Sequence, residues 1–370
     1  MRCLAAALTL VLPPLALAHP VEVRLWDDAD VITGTITKND AQRVTLTIAE
    51  AKTETLPWTR IASITPPPTA QLASRLAAGQ DAWRAAQRLE RSDALGAGPL
   101  LESHADKYLG KRGEVSLAIA AGLARCRLDQ FDRPGALAPW IAAIYAAGPA
   151  PGGGDLPAWL GADPATGLCP DLIPIWTDAE ASDLLDLEQH PRPLAAPDSR
   201  AQRLLELYLL AARWHTPDAA ERAAVRARFD EIAAAHTDPD PAIDFVTEIV
   251  GATIADDATR ETMRARLRTR LDRSPDPWEA LWAHLAIGCS LAGEPDDASR
   301  RRGATELLAA ALTDAAVSPL LAGKALAWAA DAAGMVGDDP AAAAFRDELT
   351  RRYPGHPDAA GPHGKDTALP

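Results

Sequence analysis

The stretch Trp282-Ala283-His284-Leu285-Ala286-Ile287-Gly288-Cys289-Ser290-Leu291-Ala292-Gly293-Glu294-Pro295-Asp296-Asp297-Ala298 decides the fold. Trp282, Leu285 and Ala286 belong to one helix, the Gly293–Asp296 segment breaks it, and Ala298 opens the next. Ala286 and Ala298 are small enough to let two helices approach closely. A similar break, Gly337-Asp338-Asp339-Pro340, follows 44 residues after Gly293. Gly337 is expected to end a helix in a left-handed turn. Pro340 then falls in the first turn of the following helix, where no amide donor is needed. Units of this kind bury their apolar faces by stacking on one another.

Outward from this stretch the helical pattern covers residues 69–356. Ala70 to Ser92 reads as the first helix, with Leu72, Leu76, Trp83 and Leu89 on one stripe. Gly113–Asp129 and Arg133–Ala147 form a second pair. A Pro/Gly-rich irregular loop occupies 148–176, and helices resume at about Thr177. Breaks are expected at Trp214–Asp218, Thr237–Pro241, Arg273–Pro277, Gly293–Asp296 and Val336–Pro340. Residues 357–370 read as a polar, disordered tail.

Residues 19–65 follow another rule. Val21-Glu22-Val23-Arg24-Leu25 alternates, as do Val31–Thr37 and Val44, Leu46 and Ile48, with Leu56–Trp58 and Ile61–Ile64 completing the set. Asp27-Asp28 and Lys38-Asn39-Asp40 are turn clusters. Four or five short strands are expected, closed as a barrel because closure removes their edges. Pro66-Pro67-Pro68 reads as a stiff linker.

Two resemblances rest on these residues. Trp282, Leu285, Ala286, Gly293 and Ala298, and again Gly337, Ala342 and Pro354, resemble the tetratricopeptide signature. Leu123, Ala124, Ala136, Trp140 and Ala143 form a third, weaker match. The tetratricopeptide period is about 34 residues, so the array is degenerate, and Ser199–Arg273 shows hairpins without the signature. The competing architecture is an alanine-rich helical bundle. The string from Val23-Arg24-Leu25 through Gly34-Thr35-Ile36 and Leu56-Pro57-Trp58 to Ile64 resembles the small SH3-like or Sm-like barrels of some exported bacterial proteins. The fold class read here is mainly α: an α-solenoid of tetratricopeptide-like hairpins preceded by a small β-barrel.

The chain begins with an export pattern over residues 1–18. Arg2 precedes an apolar run from Leu4 to Leu12, and Ala16-Leu17-Ala18 is a small-x-small cleavage site. A periplasmic or extracellular protein is expected, with no membrane span after cleavage. The formal net charge is −14, and cleavage removes Arg2 and no acid. Such a chain repels nucleic acid. The barrel segment itself carries Arg24, Lys38, Arg43, Lys52 and Arg60 against a larger number of acids, so RNA binding is not carried over from the Sm-like resemblance.

Gly288-Cys289-Ser290-Leu291-Ala292-Gly293 has the wrong spacing for a nucleophile elbow. No phosphate loop, dinucleotide fingerprint or His-Glu-x-x-His occurs. His104 near Asp106 and His215 near Asp218 read as capping or surface chemistry. Asp238, Asp240 and Asp244 lack the glycine turn of a calcium loop and read as a helix–helix connection capped by Asp. No catalytic residue, cofactor or metal is expected. Cys126, Cys169 and Cys289 are an odd, widely spaced set without a CxxC, so export allows one disulfide with one thiol left over or paired to another chain; Cys126 and Cys289 read as small core residues. Arg300-Arg301-Arg302 reads as a solvated helix face, with docking of an acidic partner as its alternative.

Tryptophan contributes ten residues against four Tyr and four Phe. Trp83, Trp140, Trp278, Trp282 and Trp328 read as core. Trp159 and Trp176 lie in or beside the irregular loop and form the candidate contact surface, or else pin the loop to the helices. The function expected is a non-enzymatic protein-interaction scaffold or adaptor of the cell envelope, with unidentified protein partners. The alternative is a glycan- or peptide-binding module using Trp159 and Trp176. An enzyme with an unrecognised site stands third.

Overall fold

A computed structural model describes residues 19–359, except 29, 49–51, 149–155, 189–193, 197–198, 217, 236–238 and 314–316. The export signal expected over 1–18, and the tail from 360 onward, lie outside the described residues. The chain divides into two compact units, one ending at Gln80 and the other beginning at Asp81.

The first unit contains β1 (Val21–Leu25), β2 (Val31–Asn39), β3 (Arg43–Thr47), β4 (Thr53–Pro57), a 3-10 turn at Trp58–Arg60, and β5 (Ile61–Thr65). The strands form an antiparallel sheet in the order β4-β3-β2-β1-β5. Val31–Gly34 of β2 pairs with β1, and Thr35–Asn39 pairs with β3. Gly34 sits at that change of partner, where a Cβ would lie 2.8 Å from the Thr47 carbonyl oxygen. Val23, Val44, Leu46, Leu56, Trp58 and Ile61 are buried, the alternation expected of a half-buried sheet.

The expected barrel closure is not made. β4 and β5 are the two edges of the sheet and do not pair. A helix meets this end of the unit instead. The first half of α1 (Ala70–Leu89) belongs to this unit. Gln80 Nε2 donates to the Ala62 carbonyl of β5 at 2.8 Å. Arg75 donates to Asn39 Oδ1. A Cβ at Gly79 would lie 2.3 Å from the Trp58 carbonyl oxygen, so only glycine allows this approach. Covering an edge with a helix serves the purpose that closure would have served.

The second unit holds α2 (Ala94–Tyr108), α3 (Glu114–Asp129), α4 (Arg133–Ala147), α5 (Asp178–Glu188), α6 (Arg200–Arg213), α7 (Ala219–Ala235), α8 (Pro241–Ile254), α9 (Asp257–Leu271), α10 (Pro277–Ala292), α11 (Asp297–Leu312), α12 (Pro319–Met335) and α13 (Asp339–Arg352). Among the described residues no helix is long and apolar enough to cross a membrane. Asp240 caps α8 through the amides of Ala242 and Ile243, as expected. α2 is a helix that the sequence reading did not resolve. A 3-10 turn at Pro357–Ala359 continues beyond the expected start of the tail, and His356 before it is buried.

Successive helices pack as neighbours, with α4, α6, α8, α10 and α12 forming a continuous inner row. α9, α11 and α13 pair with their sequence neighbours outside it. α10 and α12 are buried almost all round, whereas α13 buries only Ala342 and Leu349. A helix apolar on every side must be covered on every side.

Three connections share one geometry. The amides of Asp93, Asp132 and Asp338 donate to Arg88, Arg127 and Ala333 carbonyls. The residues just before them, Ser92, Phe131 and Gly337, are left-handed, with φ of 60°, 60° and 74°. Each Asp side chain then accepts from an amide of the next helix, at Gly96, Gly135 and Ala341. Each is a Schellman turn followed by an Asp N-cap.

Candidate functional site

Trp176, half of the candidate contact surface, is fully buried. Trp159 is partly buried and packed against the core. Trp176 Nε1 donates to the Tyr208 carbonyl at 3.2 Å, and the Arg133 guanidinium lies 4.7 Å from its ring centroid. Trp176 therefore pins the loop to the helices and offers no stacking face. Trp140, Trp278, Trp282 and Trp328 are buried as core, and Trp83 is half-buried.

The loop around Trp176 is the centre of the second unit. Leu168, Cys169, Leu172, Ile173, Ile175 and Trp176 are all buried. An irregular segment inside a protein must find a partner for each peptide group, since an unmet one costs about 1–3 kcal/mol. Here the inner helices supply donors from their side chains. Arg200 donates to the Thr166 carbonyl. Trp140 Nε1 donates to Gly167 at 3.2 Å, and Trp282 Nε1 to Pro170 at 2.7 Å. The Tyr208 hydroxyl donates to Leu172. Arg133 Nε reaches Asp171, and its Nη2 reaches both Ile173 and Ile175. The donors come from α4, α6 and α10, and Ser318, the N-cap of α12, donates to Asp171 Oδ1. The inner face of the row is thus filled by the chain itself.

Arg133 is fully buried, and its remaining bond goes to Glu180 Oε1 at 2.9 Å. Lys324 of α12 reaches the same oxygen at 2.7 Å. Burial alone would raise the Glu180 pKa, but Arg133 and Lys324 outweigh it and hold the carboxyl at about 2. Burial, with Arg133 adding to it, pushes Lys324 below its usual value. Burial raises Asp171, against the pull of the Ser318 hydroxyl. One carboxylate between two cations ties α4, α5 and α12 together.

The repeat-signature residues divide. Trp282, Leu285 and Ala286 are fully buried, and Trp282 stacks on Phe245 at 5.7 Å. Ala342 is buried, and Gly337 has the expected left-handed turn. Gly293 ends α10 in a right-handed conformation. Ala298 and Pro354 are exposed. The close approach expected at Ala298 is made by Gly303, where a Cβ would lie 2.6 Å from the Ala292 amide nitrogen. Gly288 meets Leu307 in the same seam, with 2.7 Å to Cγ.

An open cleft lies on α9, α11 and the end of α10. It encloses about 620 Å³ and is lined by Asp257, Glu261, Arg264, Arg268, Leu291, Glu294, Ser299, Arg302, Thr305 and Glu306. Arg264 is buried in its wall and joins Glu261, Glu294 and Ser290. Arg264, by hydrogen bond and by charge, holds the Glu261 carboxyl below its usual range. Glu306 accepts from or pairs with His284 Nδ1 at 2.7 Å. Sequence reasoning named Arg302 only within a solvated run. Ser299, Thr305 and Glu306 share its helix, but Asp257, Glu261, Arg264 and Arg268 come from α9, and no sequence spacing relates them to it.

Cys126, Cys169 and Cys289 are buried and free. Burial pushes the Cys126 thiol up to about 11 and Cys169 to about 12. Among the described residues no group of three or more His, Cys, Asp or Glu could hold a metal. No protein-family description, curated protein or solved structure matches the chain.

Proposed function

We propose that this protein is a non-enzymatic interaction scaffold or adaptor of the cell envelope, and that it meets its partner on the outer side of the helical row. The observation that carries this reading is the contrast of its two faces. The inner face is occupied by residues 166–177, while the α9–α11 side leaves a charge-lined cleft of about 620 Å³ open. Small-molecule pockets are mostly apolar with few polar groups. A cleft walled by Arg264, Arg268 and Arg302 against Asp257, Glu261, Glu294 and Glu306 suits a polar polypeptide surface better.

Kinship with tetratricopeptide-like arrays draws support from the shared turns at Ser92, Phe131 and Gly337. The SH3-like kinship of the first unit draws support from its strand order and from the 3-10 turn between β4 and β5. Residues 1–18 motivate the envelope location.

The test is affinity capture from native envelope extract, read by mass spectrometry. Wild-type protein is compared with the double variant Arg268→Glu/Arg302→Glu and with the surface control Arg91→Glu. A stoichiometric partner retained by wild type and control, and lost by the double variant, is the expected result. Equal capture by all three removes the cleft from the reading.

A further inference from the structure

After α13, residues 353–359 turn back onto α12. Within this segment only His356 is buried. The Asp358 amide donates to its Nδ1 at 3.1 Å. The ring proton therefore sits on Nε2, which donates to the Leu320 carbonyl of α12 at 2.9 Å. The ring fills a notch that Gly323 leaves open, where a Cβ would lie 2.8 Å from Nε2. Glycine inside a helix is less stable than alanine. The ring that it admits accounts for its place in α12.

This hold is slight beside the row beneath it. A segment with few buried contacts opens at lower cost than a core helix, and α12 is buried almost all round. The Tyr353 hydroxyl is buried and meets no hydrogen-bond partner among the described residues. The closed position thus carries an unmet polar group that water would satisfy. Pro354 and Gly355 are exposed, and a Cβ at Gly355 would touch nothing, which leaves room for a hinge. Beneath the segment, next to Gly323, is Lys324, whose amine reaches Glu180 Oε1 at 2.7 Å. The Asp358 carboxylate acts on Lys324 by charge and favours its cationic form. We infer that residues 353–359 form a strap, pinned by His356 and hinged at Pro354-Gly355, whose lifting uncovers Lys324 while the helical row stays folded. The strap belongs to the α12–α13 end of the row and is independent of the α9–α11 cleft.

Chemical labelling of two buried groups tests it on the full chain. Lys324 is acylated with an N-hydroxysuccinimide ester, and Cys289, buried on α10, is alkylated with a maleimide. Each rate is read by mass spectrometry and compared with that of the urea-unfolded chain. In wild type Lys324 is expected to be protected at least about tenfold less than Cys289. Gly323→Ala pushes the ring out, and His356→Ala removes it. Each should speed Lys324 acylation by at least about tenfold more and leave the Cys289 rate within about twofold. Equal protection of Lys324 and Cys289 in wild type, or an unchanged Lys324 rate in either variant, overturns the strap. A parallel rise at Lys324 and Cys289 overturns it as well, since the segment would then be an integral part of the core.

Discussion

Arg133 and Arg302 are the same residue type put to opposite use. At the inner seam Arg133 is sealed from water and spends its donors on three carbonyls and one carboxylate. At the cleft Arg302 stands exposed and donates to the Ser299 hydroxyl, near the Asp296 carboxylate. A buried guanidinium must be saturated, because an uncompensated charge inside a protein costs several kcal/mol. An exposed one is solvated and keeps its capacity for a partner. The difference locates stability in one region and leaves the other free for the contact we propose.

The sharpest break of that comparison would come at Glu180. Glu180→Gln leaves Arg133 and Lys324 buried without their anion and should destabilise by about 3–5 kcal/mol. Urea denaturation gives the value, and a change below about 1 kcal/mol would mean the seam is not the stability centre. The same carboxylate sets an acid limit. Its folded pKa of about 2 lies below the ordinary 4.5, so its contribution is full above pH 4.5 and is lost as pH falls toward 2. Asp171, raised by burial, works in the opposite direction. Subtracting the Glu180→Gln pH profile from wild type isolates the Glu180 limb, which should slope only within that window.

Smaller effects refine the contrast. Trp282→Phe keeps the ring but strands the Pro170 carbonyl, and should cost about 1–3 kcal/mol in chemical denaturation. Gly337→Ala forces a Cβ into a left-handed turn and should cost about 1 kcal/mol. That loss should appear as a lower Tm with unchanged partner capture. Arg302→Glu should move stability by no more than about 0.5 kcal/mol. A larger loss would show that the cleft arginine is structural after all.

Some of this was legible in the sequence and some was not. The break at Gly337–Pro340 could be read because helix termini are local chemistry: φ is positive at Gly337, and Pro340 sits in the first turn of α13. The strand alternation of Val44 and Leu46 was local in the same sense. Sheet closure was not, since it depends on what Gly79 and Gln80 of a later helix do. Arg133 carries no motif, because its partners at Asp171, Ile173, Ile175 and Glu180 are set by tertiary packing. One signal could have found the seam. Trp278–Ala292 and Leu320–Ala333 are apolar almost all round, which one outer helix layer cannot cover. The irregular loop meanwhile contains Leu168, Leu172, Ile173, Ile175 and Trp176, too apolar for a solvated connection.

The filled seam also changes what kind of repeat protein this is. An ordinary repeat array is modular: each unit touches its neighbours, and units can be added or trimmed with roughly additive cost. Here Ser318 and Asp171 meet across 147 residues of chain, and Trp282 reaches back to Pro170. Deleting α12 and α13 would not merely shorten the row but leave Glu180 without Lys324 and the segment near Asp171 without its lid. The second unit should therefore melt in one cooperative step and tolerate no change in repeat number, behaving as a globular domain assembled from repeat-like parts.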